Sequence, residues 1–160
     1  MCLLAVTPAF TIVPKVVVYP PAIGSATLDA DLITHITGVL AAEIAADGSV
    51  KVLPATPGLD RARYLADARA LGADFYVTGF AAQIGTHLSV ISQVVSVQSG
   101  TVVFSTSATV QNDRDTAEQA DELRAGILER SDRGIQALEA TPPPPDPTPT
   151  PSPAPSPKHR

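Results

Sequence analysis

The six residues KVVVYP, 15–20, constrain the fold more than any other stretch of the chain. Successive side chains of a strand point to opposite faces, so Val16, Val17 and Val18 put apolar groups on both sides. Such a strand is stable where both faces are covered, which predicts a central position with helices on either side. Pro20 and Pro21 close it. The rest of the chain must supply two covering layers.

The downstream pattern does so. The loop AIGSAT, 22–27, holds Gly24 and the helix-capping candidates Ser25 and Thr27. From Leu28 onward Leu32, Ile33, Ile36, Val39, Leu40 and Ile44 share one helical stripe. Asp29 and Asp31 suit its electropositive first turn, and Asp47 and Gly48 end it. Gly38 and Ala42, four apart, would allow the close approach of a neighbouring element. SVKVLPA, 49–55, reads as a second strand stopped at Pro54. Asp60 is a good N-cap for a helix over 61–71, and Gly72 suits its left-handed cap.

Three strands follow in succession. ADFYVTGFAAQI, 73–84, reverses at Gly85 and Thr86 into a strand over 87–98, and Ser99 and Gly100 turn the chain into 101–111. In that last strand Val102, Phe104, Ala108 and Val110, with Thr106, face one way. Val103, Ser105, Ser107 and Thr109 face the other, the pattern of an edge strand with one apolar face. A final helix begins near Thr116 with a Thr116–Gln119 capping box, runs through Leu123, Ile127 and Leu138, and pairs Glu129 with Arg133.

Two strand–helix–strand units with right-handed crossovers, followed by two short reversals, predict one α/β architecture. It is a three-layer sandwich with three helices and a mixed five-stranded sheet in order 2-1-3-4-5, the fourth strand antiparallel. The expected domain spans residues 15–140.

The flanks differ in kind. Ten of the 16 prolines fall in residues 142–157, which predicts a disordered Pro-rich tail over 141–160 in extended polyproline II. At ~3.1 Å per residue, residues 142–157 reach about 50 Å. The tail reads as a spacer in preference to a ligand for a proline-binding groove, since no aromatic or arginine within residues 142–157 marks a motif. Residues 1–14 open with MCLLAVTPAFT, where Ala5, Thr7 and Ala9 alternate as small residues do before a signal-peptidase cut. The basic start and full apolar length of a signal peptide are absent, so two readings stand: a truncated signal remnant, or a short apolar terminus packed on the domain. The first places the protein in the periplasm or elsewhere outside the cytoplasm; the second leaves it cytoplasmic.

Charge and chemistry exclude several functions. The tail takes Lys158, Arg160 and Asp146 from totals of 11 basic and 16 acidic residues, leaving a body of 9 against 15. An acidic body without a basic run lacks the footprint of a nucleic-acid binder. No run of ~18 apolar residues can span a bilayer. Cys2 is the sole cysteine, so no disulfide framework or thiolate cluster forms. His35, His87 and His159 fit no metal-ligand spacing, and no serine sits in G-x-S-x-G. His35 reads as a partly buried histidine with one hydrogen bond. Asp60, Asp67 and Asp74 read as a cap, a solvated helix face and a tie at a helix–strand corner. The expectation is therefore no catalytic residue, no metal and no cofactor.

The stretch ARALGADFYVTG, 68–79, followed by a reversal and VSVQSGTVVFS, 95–105, resembles the TolB N-terminal-domain-like family, whose relatives include LpoB and CsgG-type envelope proteins. Ala68, Arg69, Leu71, Gly72, Ala73, Asp74, Val77, Gly79, Gly100, Thr101 and Val102 carry the likeness, which covers residues 15 to about 138. The resemblance implies an exported, non-enzymatic domain that binds another protein of the bacterial envelope. Neither a six-bladed propeller nor a lipobox accompanies it in these residues, so the expectation is a relative distinct from TolB itself and from the lipoprotein activators.

On this reading the interaction surface is the edge strand with Thr101, Ser105, Ser107 and Thr109. The alternative is a small-molecule or nucleotide-binding α/β domain using Gly24, Ser25 and Thr27, because crevices in open α/β sheets form outside the carboxyl ends of strands. A single glycine, with Asp29 and Asp31 close by, argues for a plain loop there, and the loop 54–58 reads in the same way.

Overall fold

The computed structural model describes residues 13–24 and 28–139, with side chains to Arg133. Residues 1–12 of the expected signal remnant and the tail from 141 lie outside the described residues.

The strands are β1 (Lys15–Val18), β2 (Ala22–Ile23), β3 (Lys51–Leu53), β4 (Phe75–Ile84), β5 (His87–Ser96) and β6 (Val102–Val110). They form one sheet in the order β3-β1-β4-β5-β6, with β2 pairing β4 off that path. β1 is parallel to both neighbours, Val16 lying opposite Val52 and Phe75. β5 is antiparallel to both of its own. The expected order is found, with one addition. β4 has ten residues and β1 only four, so the outer half of β4 would lack partners on that side. Ala22 and Ile23 supply them, and the Gly24 amide donates to the Ala81 carbonyl at 2.8 Å.

Two helices, α1 (Ala30–Ala45) and α3 (Asp113–Glu139), cover one face. Ile33, Ile36, Leu40 and Ile44 join Leu123 and Ile127 over Val16, Val18, Val77, Val90 and Val94. The short helix α2 (Tyr64–Ala70), entered through a 3-10 turn at Arg61–Arg63, lies on the other face. There Tyr64 and Ala68 pack with Val17, Tyr19, Ala73 and Val97. Val16 and Val17 are both 0% exposed, as a strand covered on two sides requires.

Several local expectations hold. Asp60 accepts from the Ala62 amide, and Gly72 has φ +69° at the end of α2. Asp74 accepts from the Lys15 amide at 2.8 Å, tying β1 to the corner before β4. Glu129 pairs with Arg133. Others are corrected. The helix α3 starts at Asp113, because Asn112 accepts from the Arg114 amide while Asp115 reaches back to the amides of Gln111 and Asn112. That reciprocal cap leaves Thr116 and Gln119 free to be buried, and the Gln119 amide donates to the Val90 carbonyl. Replacing Asn112 with alanine should cost about 1 kcal/mol, seen as a lower urea midpoint at unchanged m-value.

A bulge corrects the alternation of β6. The register shifts at Val94 and Val95, so Val102 is 51% exposed while Val103 packs against the core beside Phe104. The close approach that Gly38 would allow is not used among the described residues, where a Cβ at that position would meet nothing within 4 Å.

Candidate functional site

The two edges of the sheet differ in their protection. β3 has three residues, carries the exposed Lys51 and ends at Pro54, all of which discourage a further strand. β6 has nine residues, VVFSTSATV, without a charge or a proline. Its inner face is engaged by α3, where Phe104 packs against Gly126 and Thr106 hydrogen-bonds Glu122. Arg130 lies over the Phe104 ring at 4.9 Å and donates to the Val103 carbonyl at 2.7 Å, closing the first residues of the strand. From Ser105 to Thr109 no further strand pairs with β6 among the described residues.

Ser105, Ser107 and Thr109 are exposed on the face away from α3. Thr101 stands apart from them. It lies in the turn before β6, its hydroxyl 2.7 Å from that of Ser99 and its carbonyl accepting from the Ser96 amide. The edge therefore unites three of the four expected residues, and the fourth serves the turn.

The face carrying these hydroxyls is bare over its outer half, because the seven residues of α2 reach only the part beside β1. Cross-strand register sets Ser107 beside Ile91 and Ile91 beside Phe80. Ile91 is 41% exposed and Phe80 46%. The Arg61 guanidinium sits 4.1 Å from the Phe80 ring centroid and donates to the Gly79 carbonyl at 2.9 Å, so Phe80 is partly shielded on one side. This apolar row was not visible from the sequence, since the strand pattern of 73–84 does not state how far the helix beyond it reaches.

Of the expected ligand loop, only Gly24 lies among the described residues. Gly24 is engaged in β2–β4 pairing, a built Cβ coming within 3.3 Å of both the Ala81 carbonyl oxygen and the Ala82 Cβ. Ser25 and Thr27 lie outside the described residues. Space opens elsewhere. A cleft of about 600 Å³ lies between the start of α1 and the β4–β5 turn, lined by Leu28, Leu32, His35, His87 and Asp113. His35 is largely exposed and makes one bond, to Asp113 at 2.9 Å. Among the described residues no group of three or more His, Cys, Asp or Glu can hold a metal. No helix there is long and apolar enough to cross a membrane.

A second crevice, about 370 Å³, lies at the carboxyl ends of β1 and β3. Beside it Asp67 accepts from the Tyr19 hydroxyl at 2.6 Å and from Thr56 at 2.7 Å. These two bonds hold the Asp67 carboxyl below the usual carboxylate range. Asp67 is thus a tie between β1, the β3–α2 loop and α2, and the reading of it as a solvated helix face is corrected. The partners lie 48 and 11 residues away, beyond any local pattern.

No family model and no curated protein matches the chain. Among solved structures it is similar to the C-terminal domain of LpoB from Escherichia coli, at 16% identity and a TM-score of 0.55, over 66% of this chain and 88% of that one. It is similar to the protein XCC0632 from Xanthomonas campestris at 9% identity and a TM-score of 0.50, over 79% and 90% of the two chains. The lipoprotein GNA1162 from Neisseria meningitidis matches at 19% identity and a TM-score of 0.49, over 79% and 99%. The first two have the fold of this chain, so the relationship expected from residues 68–79 and 95–105 is found at the level of fold.

Proposed function

We propose that the chain is a non-enzymatic accessory domain of the bacterial envelope that binds another protein by accepting one of its strands along β6. The observation that carries this reading is the unguarded edge: nine residues without charge or proline, beside a half-bare sheet face. Backbone groups on an edge give affinity to an added strand, and alternate side chains give it specificity. A strand docked there would set alternate side chains next to Ser105, Ser107 and Thr109. Small or β-branched side chains fit beside those hydroxyls, and a partner free of acidic residues fits the acidic body. The sequence resemblance to TolB N-terminal-domain-like proteins supports an extracytoplasmic partner, and the acidic body argues against nucleic acid.

The test uses a photo-crosslinking amino acid at position 107 in living cells. One envelope protein should be captured from Ser107 and not from position 51 on the guarded edge. Ser105→Pro should abolish that capture while leaving the circular dichroism spectrum intact. Undiminished capture in the folded proline variant would remove the edge from consideration.

A further inference from the structure

We infer that the crevice at the carboxyl ends of β1 and β3 binds a compact, uncharged, largely apolar molecule. The topology creates the opening. β1 leads into α1 on one face of the sheet, β3 leads into α2 on the other, and the two connections part over the strand ends. Its volume of about 370 Å³ suits a small ligand. Tyr19, Thr37, Gly38, Thr56, Leu59 and Tyr64 line it, and among the described residues no Lys, Arg, Asp or Glu is part of the lining. These walls therefore offer nothing to balance a phosphate or carboxylate.

Two further observations point to a kept space. Glycine inside a helix is destabilising relative to alanine. At Gly38 no packing explains that cost, since a Cβ would meet nothing within 4 Å and the residue has no positive φ. What the missing side chain does is leave the crevice open. The opposite wall is rigid: the rings of Tyr19 and Tyr64 stack at 4.1 Å and 6°. Thr56 is tied to Asp67, and Pro54 and Pro57 limit the loop between them. A wall already fixed before binding loses little freedom when a ligand enters. The site is independent of β6, lying by the other edge of the sheet.

The probe is N-phenyl-1-naphthylamine, which is uncharged and fluoresces on entering an apolar site, titrated into the full chain. Saturable binding in equimolar ratio is expected. Gly38→Leu should weaken it by roughly 10-fold or more while the melting temperature holds or rises. Thr34→Phe, one turn earlier in α1, is a second plug should the first disturb the helix. Ile91→Asp, on the bare sheet face, should leave binding unchanged. Lack of saturable binding, binding that survives both plugs, or loss with Ile91→Asp would each overturn the assignment.

Discussion

Replacing Gly79 with alanine should cost about 3 kcal/mol or more, the upper end of overpacking penalties. Gly79 lies in β4 opposite Ser92, at the middle of the longest strand pair in the sheet. A Cβ there would fall on the Ile91 carbonyl oxygen, with the carbonyl carbon 2.9 Å and the Ser92 Cα 3.1 Å away. The obstacle is backbone, so no side chain can rotate aside, and relief requires β4 and β5 to separate. Domains of this size hold only ~5–15 kcal/mol in total, so the variant should lose a large share of its stability. Gly38→Ala should move the other way by ~1 kcal/mol, because helix propensity improves and nothing is struck. Urea unfolding of both variants checks the pair, with opposite shifts in midpoint at equal m-values. Equal, small effects would mean that the close β4–β5 approach at Gly79 is wrong.

The chain should also unfold in alkali in a single step that carries its tyrosines with it. All three, Tyr19, Tyr64 and Tyr76, belong to one cluster under α2. Tyr19 stacks on Tyr64 and meets Tyr76 edge-on at 5.8 Å. Burial raises the pKa of each phenol, and for Tyr19 the bond to Asp67 raises it further. Nearby Arg61 opposes the rise at Tyr64 and Tyr76 without cancelling it. A raised phenol pKa means the folded state holds its protons after the unfolded state has released them. That contribution to stability is therefore complete below pH ~10, the ordinary tyrosine value, and declines as the pH rises through it. The phenolate absorption band should appear together with loss of the circular dichroism signal. A tyrosine ionising well before unfolding would show that the cluster is open to solvent.

Asp67 gives the acid counterpart. Its carboxyl is held low, so its contribution is present above the ordinary carboxylate pKa of ~4 and fades as the pH falls through the lowered value.

The parts of this fold that could be read from the sequence are those where one residue pattern answers to one physical demand. Val16 to Val18 demand two covered faces, and both are covered. Gly72, Asp60 and Asp74 act within a few residues of their positions or at a single corner, and each does what its chemistry indicates. The harder features depend on comparing distant segments. β2 exists because β4 outlasts β1, a mismatch of lengths that neither segment records alone. The bulge at Val102 and Val103 follows from fitting β6 to β5 and reverses two side chains that strict alternation assigns wrongly. At the start of α3, Asn112 with Asp115 and Thr116 with Gln119 both have capping-box spacing, and burial of the second pair decides between them. The candidate edge was legible because serine and threonine alternate with apolar residues. The crevice was not, since the spacing of Gly38 and Ala42 is that of a contact face, and only the folded chain leaves the place of a Gly38 side chain unfilled among the described residues.

The unequal flanks of the sheet limit how far any assembly built from it can go. On the proposed reading, a molecule with one guarded side and one receptive side takes one guest. Two copies meeting receptive side to receptive side would exhaust both, leaving guarded sides outward. Stacking into fibres, the usual hazard of an accessible ribbon, would therefore stop after its first step.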